Sequence, residues 1–428
     1  MNPAHVHRFG GLVLRDHEHE VPLDHAEPTG ENITIFSREV VAKQRQREDL
    51  PWLVFLQGGP GFPSPRPMDL SGWLGWAIKK YRVVLLDQRG TGRSAPLHAD
   101  TVTARGDAQA QADFLSHFRA DSIVEDCELI RHELTGGRPW TTLGQSFGGF
   151  CSVRYLSAHP EGLEAALITG GLPPIEAHPD DIYRRTYPIC ADKNRGWHER
   201  YPVDDERARA VIRRLQTDEV MLPSGDSLTP RRFQQLGMHL GMSDGREAIH
   251  YLLESAFPAG ATEPVFHYGF LRAFEESLSF DTNPIFTLLH EACYTQGFAS
   301  NWSAERLRPE FPEFHLDPDR PVFLTGEMIW PGALEEVGAL APMKEAAELL
   351  AAKEDWPMLY DRDALSANEV PVAAAVYEND MYVEREYSLE TGAAIQGAKV
   401  WRTADYEHNG LRADGPKILE RLSLMALA

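Results

Sequence analysis

The hexapeptide Gly144-Gln145-Ser146-Phe147-Gly148-Gly149 constrains this chain more than any other stretch of it. Before it stands Trp140-Thr141-Thr142-Leu143, a short run that reads as a buried strand. After it, Phe150, Val153 and Leu156 fall on one face of a helix. A G-x-S-x-G pattern between a strand and a helix predicts a sharp turn. Its glycines let the backbone reverse, so the serine hydroxyl stands clear of the sheet, close to a helix N-terminus. A plain Gly/Ser turn is the competing reading, and the strand–turn–helix setting favours a nucleophilic serine. Such a serine needs a base to take its proton and an acid to orient that base.

The elements around the hexapeptide alternate. Residues 52–56 and 82–86 read as strands buried on both faces, residues 122–134 as a helix, and residues 163–169 as a further strand. Two alternating stretches near the front, 19–24 and 32–41, suggest antiparallel strands. Buried strands separated by helices imply a parallel sheet with right-handed crossovers. The rhythm breaks between 173 and 318, where helical patterns at 204–217, 230–240, 246–256, 268–278 and 283–293 follow one another. Sheet pattern resumes at 320–324, 370–377 and 398–403. The expected architecture is therefore α/β: a doubly wound, mostly parallel sheet with an inserted helical cap. Its divisions are a first core part at 1–172, the cap at 173–318 and a second core part at 319–428, with proline-rich junctions at Pro173-Pro174 and around Pro318 and Pro321.

Composition narrows the function classes. Of 428 residues 43% are hydrophobic and 25% charged, which suits a folded enzyme. Lys and Arg number 42 against 64 Asp and Glu, and the resulting net charge of -22 opposes binding to nucleic acid or anionic membranes. No run approaches the roughly 18–20 apolar residues of a membrane span, and no signal-peptide pattern opens the chain. Cys127, Cys151, Cys190 and Cys293 are far apart and form no C-x-x-C pair. They read as thiols in a reducing compartment, with the cytoplasm as the expected location and no metal or cofactor implied.

His408 is the histidine that follows the last expected strand, in Tyr406-Glu407-His408-Asn409-Gly410, and is the expected base. The orienting acid should end the preceding strand, where Asp380 is the choice over its neighbour Glu378. Glu327, one segment earlier, is a more distant competitor. Gln57-Gly58-Gly59-Pro60-Gly61 follows the first buried strand, so the N–H of Gly59 and that of Phe147 are the expected oxyanion donors. Asp87-Gln88-Arg89-Gly90-Thr91-Gly92-Arg93-Ser94 lacks a phosphate-loop signature. It reads as a structural turn in which Asp87 and Arg89 brace the active-site loops.

Taken together, these motifs resemble the proline iminopeptidases (prolyl aminopeptidases) of the α/β-hydrolase fold. Gln57–Gly61 is similar to the family's H-G-G-P-G, with glutamine in place of histidine. Residues 87–94 match D-Q-R-G-x-G-x-S, and residues 144–149 match G-x-S-x-G-G. The length of the chain resembles the larger-cap branch. The resemblance implies a serine aminopeptidase that removes an N-terminal residue, preferably proline, from small peptides. It also implies acidic residues that neutralise the free amine, since an unpaired buried ammonium would be prohibitive. Glu291, in His290-Glu291-Ala292-Cys293-Tyr294, resembles the family's cap glutamate, and Glu327 is assigned to the same task. Tyr294, Trp302 and Trp330 are candidates to line the proline slot. The alternatives are an esterase or lactonase with the same triad, or a noncatalytic binding protein that kept the fold. A serine in the elbow disfavours aspartate-nucleophile dehalogenases and epoxide hydrolases. The sequence sets no oligomeric state.

Overall fold

In the computed structural model, residues 3–257 and 265–427 are described. Nine strands form one sheet in the order β1-β2-β3-β5-β4-β6-β7-β8-β9. They are β1 His5–Phe9, β2 Leu12–Pro22, β3 Asn32–Ala42, β4 Trp52–Leu56, β5 Arg82–Leu86, β6 Trp140–Gln145, β7 Leu163–Thr169, β8 Val372–Tyr377 and β9 Lys399–Thr403. β1, β2, β3 and β5 pair antiparallel, and from β5 through β9 every pairing is parallel. The central strands β4, β5 and β8 are buried on both faces, which is why they read as apolar runs.

Alternation within those runs sends side chains into two cores. Val54 and Leu56 of β4 join Cys127, Ile130, Val153 and Leu156 from the helices Ala120–Thr135 and Phe147–Ala158. Leu53 and Phe55 point the other way, towards Leu74, Ala77, Ile418 and Leu422 from the helices Gly72–Ala77 and Gly410–Leu427. Because the strands are parallel, the loops after β4, β6, β8 and β9 gather at one edge, as expected for a doubly wound sheet.

Between β7 and β8 the chain leaves the sheet and packs as a helical insertion, with its longest helix at Pro179–Arg200. One expected strand is absent. Residues 320–324 make no ladder, so the sheet resumes only at Val372, later than the expected boundary at 318. Asparagine and glutamine side chains of the insertion take the place of strand partners. Asn194 accepts from Leu324 N at 2.7 Å and donates to Leu324 O at 2.8 Å; Gln234 donates to Phe323 O at 2.7 Å. Among the described residues, no helix is long and apolar enough to cross a membrane.

Candidate active site

Ser146 stands between β6 and the helix Phe147–Ala158 with φ 53° and ψ -124°, a left-handed backbone that only a turn this tight imposes on a serine. Two main-chain bonds hold it there: Ser146 N donates to Thr169 O at 3.0 Å, and Gly149 N donates to Ser146 O at 2.7 Å. The turn closes because Gly148 has no side chain; a Cβ there would collide with the Leu56 carbonyl at the end of β4. Phe147 is the first residue of the following helix, so its N–H has no acceptor within that helix and stays free for a ligand. The loop after β4 comes up beside it: a Cβ on Gly58 would sit 2.8 Å from Ser146 Cβ. Next in that loop, Gly59 has φ 141°, open to glycine alone. Gly58 thus abuts the serine, with Gly59 next to it in the loop and Phe147 next to the serine in the chain.

His408 and Asp380 are in direct contact. His408 Nδ1 donates to Asp380 Oδ2 at 2.7 Å, and Asp380 Oδ1 accepts from Tyr382 N at 2.9 Å and Val383 N at 3.1 Å. Both side chains are buried. Burial is the largest influence on the imidazole and favours its neutral form. The Asp380 charge and hydrogen bond, with Glu327 behind them, outweigh it and raise the pKa above the usual histidine value. Two consecutive glycines after β7 lie between this pair and Ser146. The Cβ position of Gly170 lies 3.3 Å from His408 Nδ1, and that of Gly171 lies 3.2 Å from Ser146 N. Glu378 does not compete for the histidine: Arg402 and Arg385 hold its carboxylate at the surface and pull its pKa down to about 2.

The insertion roofs this edge of the sheet. The helix Pro284–Leu288 packs on the oxyanion loop, with Phe286 edge-on to Phe62 at 5.8 Å, and Tyr294 edge-on to Phe150 of the elbow helix at 5.7 Å. Glu327 lies near His408 and Asp380, in a loop that Gln235 pins by donating to Thr325 Oγ1 at 2.8 Å and Met328 O at 3.0 Å. Burial raises the Glu327 carboxyl to about 8, with the Asp380 charge adding to the shift and His408 opposing it. Glu291 is also buried, but its carboxylate is engaged: Oε2 accepts from Ser303 N at 3.0 Å and Oε1 from Ala304 N at 2.9 Å. Those N–H groups open the helix Ser303–Leu307, so Glu291 acts there as its cap.

A family model described as the alpha/beta hydrolase fold matches residues 51–256. A proline iminopeptidase of Aeromonas sobria is 48% identical over 422 residues, covering 98% of this chain and 98% of that protein. The chain belongs to the proline iminopeptidase family of the α/β-hydrolase fold. A second member, from Aspergillus aculeatus, is 34% identical over 415 residues, covering 94% of this chain and 91% of its own. Among solved structures, proline iminopeptidase of Mycobacterium smegmatis aligns with a TM-score of 0.46 at 14% identity, covering 96% of this chain and 99% of that one.

The D-Q-R-G turn that helped suggest the family is a brace. Arg89, almost fully buried, donates to both oxygens of Asp126 at 2.8 and 2.6 Å and to the carbonyls of Leu23, His117 and Pro22. Asp87 accepts from Ser64 N at 3.1 Å, Arg93 N at 2.9 Å and Arg66. Trp302 donates its indole N–H to Glu348 at 2.8 Å. Trp330 is buried, with Arg231 stacked over its ring. Sequence reading passed over His290, which is buried beside Glu327 with Nε2 3.8 Å from Oε2. Its position next to Glu291 in the chain was the available signal.

Proposed function

We propose that the protein is a serine aminopeptidase that releases an N-terminal residue, preferably proline, from small peptides through an acyl-enzyme. Ser146 Oγ attacks the carbonyl carbon of the first residue while His408 Nε2 takes its proton. Asp380 holds the ring in the tautomer that leaves Nε2 free and stabilises the imidazolium that forms. The N–H groups of Gly59 and Phe147 meet the alkoxide, and the helix N-terminus adds to its stabilisation. His408 then protonates the leaving amine. Water, deprotonated by the same imidazole, attacks the acyl carbon and frees Ser146.

The observation that carries this reading is the His408–Asp380 pair beside a strained Ser146, with the Glu327 carboxyl next to them inside the roof. A free α-ammonium entering such a site needs an anionic partner, and its own charge favours ionisation of a carboxyl that burial otherwise keeps protonated. We assign that role to Glu327, because both oxygens of Glu291 already serve backbone N–H groups. An esterase or lactonase has no use for a carboxylate in that position. The four cysteines are free and buried, which supports the reducing cytoplasm as its location.

Ser146→Ala tests the proposal. It should abolish turnover of a prolyl arylamide and labelling by a fluorophosphonate while leaving thermal unfolding unchanged. Full activity in the variant would refute the mechanism.

A further inference from the structure

A prolyl ammonium differs from other N-terminal ammonium groups in its hydrogens. It is secondary and carries two N–H donors, whereas an ordinary α-ammonium carries three. A pocket that buries it should therefore present two acceptors, because a buried donor left without a partner is costly.

Two side chains beside the triad meet that description. Glu327 Oε2 and His290 Nε2 are 3.8 Å apart, too far for a bond to each other. A nitrogen at an ordinary hydrogen-bond distance of about 2.9 Å from both fits between them. The imidazole cannot easily swing away. Phe286 meets it edge-on at 4.9 Å and Tyr294 at 6.4 Å, and its side chain is only 4% exposed. Those two aromatics are the ones that touch Phe62 of the oxyanion loop and Phe150 of the elbow helix. His290 is thus suspended between the two parts that surround Ser146. Its Nδ1 is buried and makes no hydrogen bond among the described residues. The resting ring therefore favours its proton on Nε2, facing Glu327, and accepting from an ammonium moves that proton to Nδ1 at a cost that the new charge-assisted bond has to exceed. Burial lowers its pKa to about 4, which leaves the ring neutral and able to accept a hydrogen bond at physiological pH.

We propose that His290 is a specificity-determining residue of the amine subsite: its Nε2 accepts one N–H of the substrate's secondary ammonium while Glu327 accepts the other. The inference rests on the aminopeptidase reading and adds to it a reason for preferring imino acids. Glu327 supplies charge, which any α-ammonium would satisfy. His290 supplies a second, neutral acceptor, so the pair matches the two donors of a secondary ammonium. A primary ammonium brings a third N–H that this pair cannot accept; an N-methylated residue does not.

The test is steady-state kinetics with three arylamides, of proline, N-methylalanine and alanine, for the native enzyme, His290→Phe and His290→Gln. The native enzyme should favour N-methylalanine over alanine. His290→Phe should raise KM for the prolyl and N-methylalanyl substrates about tenfold, with a smaller change in kcat, and collapse the preference for N-methylalanine. His290→Gln keeps an acceptor and should restore much of the preference. Fluorophosphonate labelling of Ser146 at the native rate identifies folded variants. If His290→Phe does not label, His290→Leu takes its place with the same expectations. An unchanged N-methylalanine preference in the Phe or Leu variant, or a Gln variant no better than they are, overturns the assignment of His290 alone. A native enzyme that hydrolyses p-nitrophenyl esters but none of the arylamides overturns the aminopeptidase reading beneath it.

Discussion

Asp380 divides its two oxygens between two tasks: Oδ2 takes the His408 Nδ1–H at 2.7 Å, and Oδ1 takes the backbone N–H groups of Tyr382 and Val383. The loop therefore stays anchored even if the charge is removed. Asp380→Asn should keep its Tm within a few degrees and lose a factor on the order of 10³–10⁴ in kcat, because an amide facing Nδ1 favours the wrong tautomer. It should also move the acid limb of the pH–rate profile to lower pH, since the Asp380 charge and hydrogen bond raise the His408 pKa. A variant with near-native kcat would remove Asp380 from the mechanism.

Glu327 makes stability depend on pH. Its carboxyl is raised to about 8 in the fold from an ordinary 4.5, so the folded state holds a proton that the unfolded state has released. That contribution is fully present below about pH 4.5 and is lost as pH rises through about 8. Glu327→Gln cannot lose it. Thermal unfolding of the variant should fall less steeply than that of the native enzyme between about pH 5 and pH 8. Its KM for a prolyl arylamide should rise by about tenfold or more. Parallel Tm curves would show that this carboxyl is not held protonated.

Glu291 should behave differently. As a glutamine it offers one acceptor oxygen and turns an amide donor towards a backbone N–H at Ser303 or Ala304. Leaving that buried N–H unpaired costs about 1–3 kcal/mol. Glu291→Gln should therefore lower Tm, with a smaller rise in prolyl KM than Glu327→Gln causes. An unchanged Tm combined with the larger KM effect would transfer amine binding to Glu291.

Much of this arrangement was legible in the sequence because it depends on local chemistry. β7 runs over the expected 163–169, and the elbow lies at the predicted strand–helix junction. The base and its acid follow the last two strands because parallel strands gather such loops at one edge. Other features were set by distant partners. β2 begins at Leu12 rather than near 19, and its His17 and His19 are buried, His17 Nε2 against Glu39 and His19 between Ser37 and Glu133. The outward positions Glu18 and Glu20 keep the usual polarity, but the inward ones are polar too, which hides the alternation. The apolar run 320–324 imitated a strand, but Asn194 and Gln234 hold its backbone within the insertion. The helix Pro179–Arg200 went unread because Pro188 interrupts its pattern. Expected helices at 230–240 and 283–293 break into shorter helical pieces, and the second break brings His290 beside Glu327.

The central claim, a serine nucleophile that serves substrates with a free N-terminus, is tested most directly by blocking that terminus. The measurement is kcat/KM for a prolyl arylamide against its N-acetyl counterpart. The account predicts efficient release of the arylamine from the first and a loss of at least about a hundredfold with the second, since acetylation removes the charge and both N–H donors that the pocket needs. Equal rates on the two would contradict it.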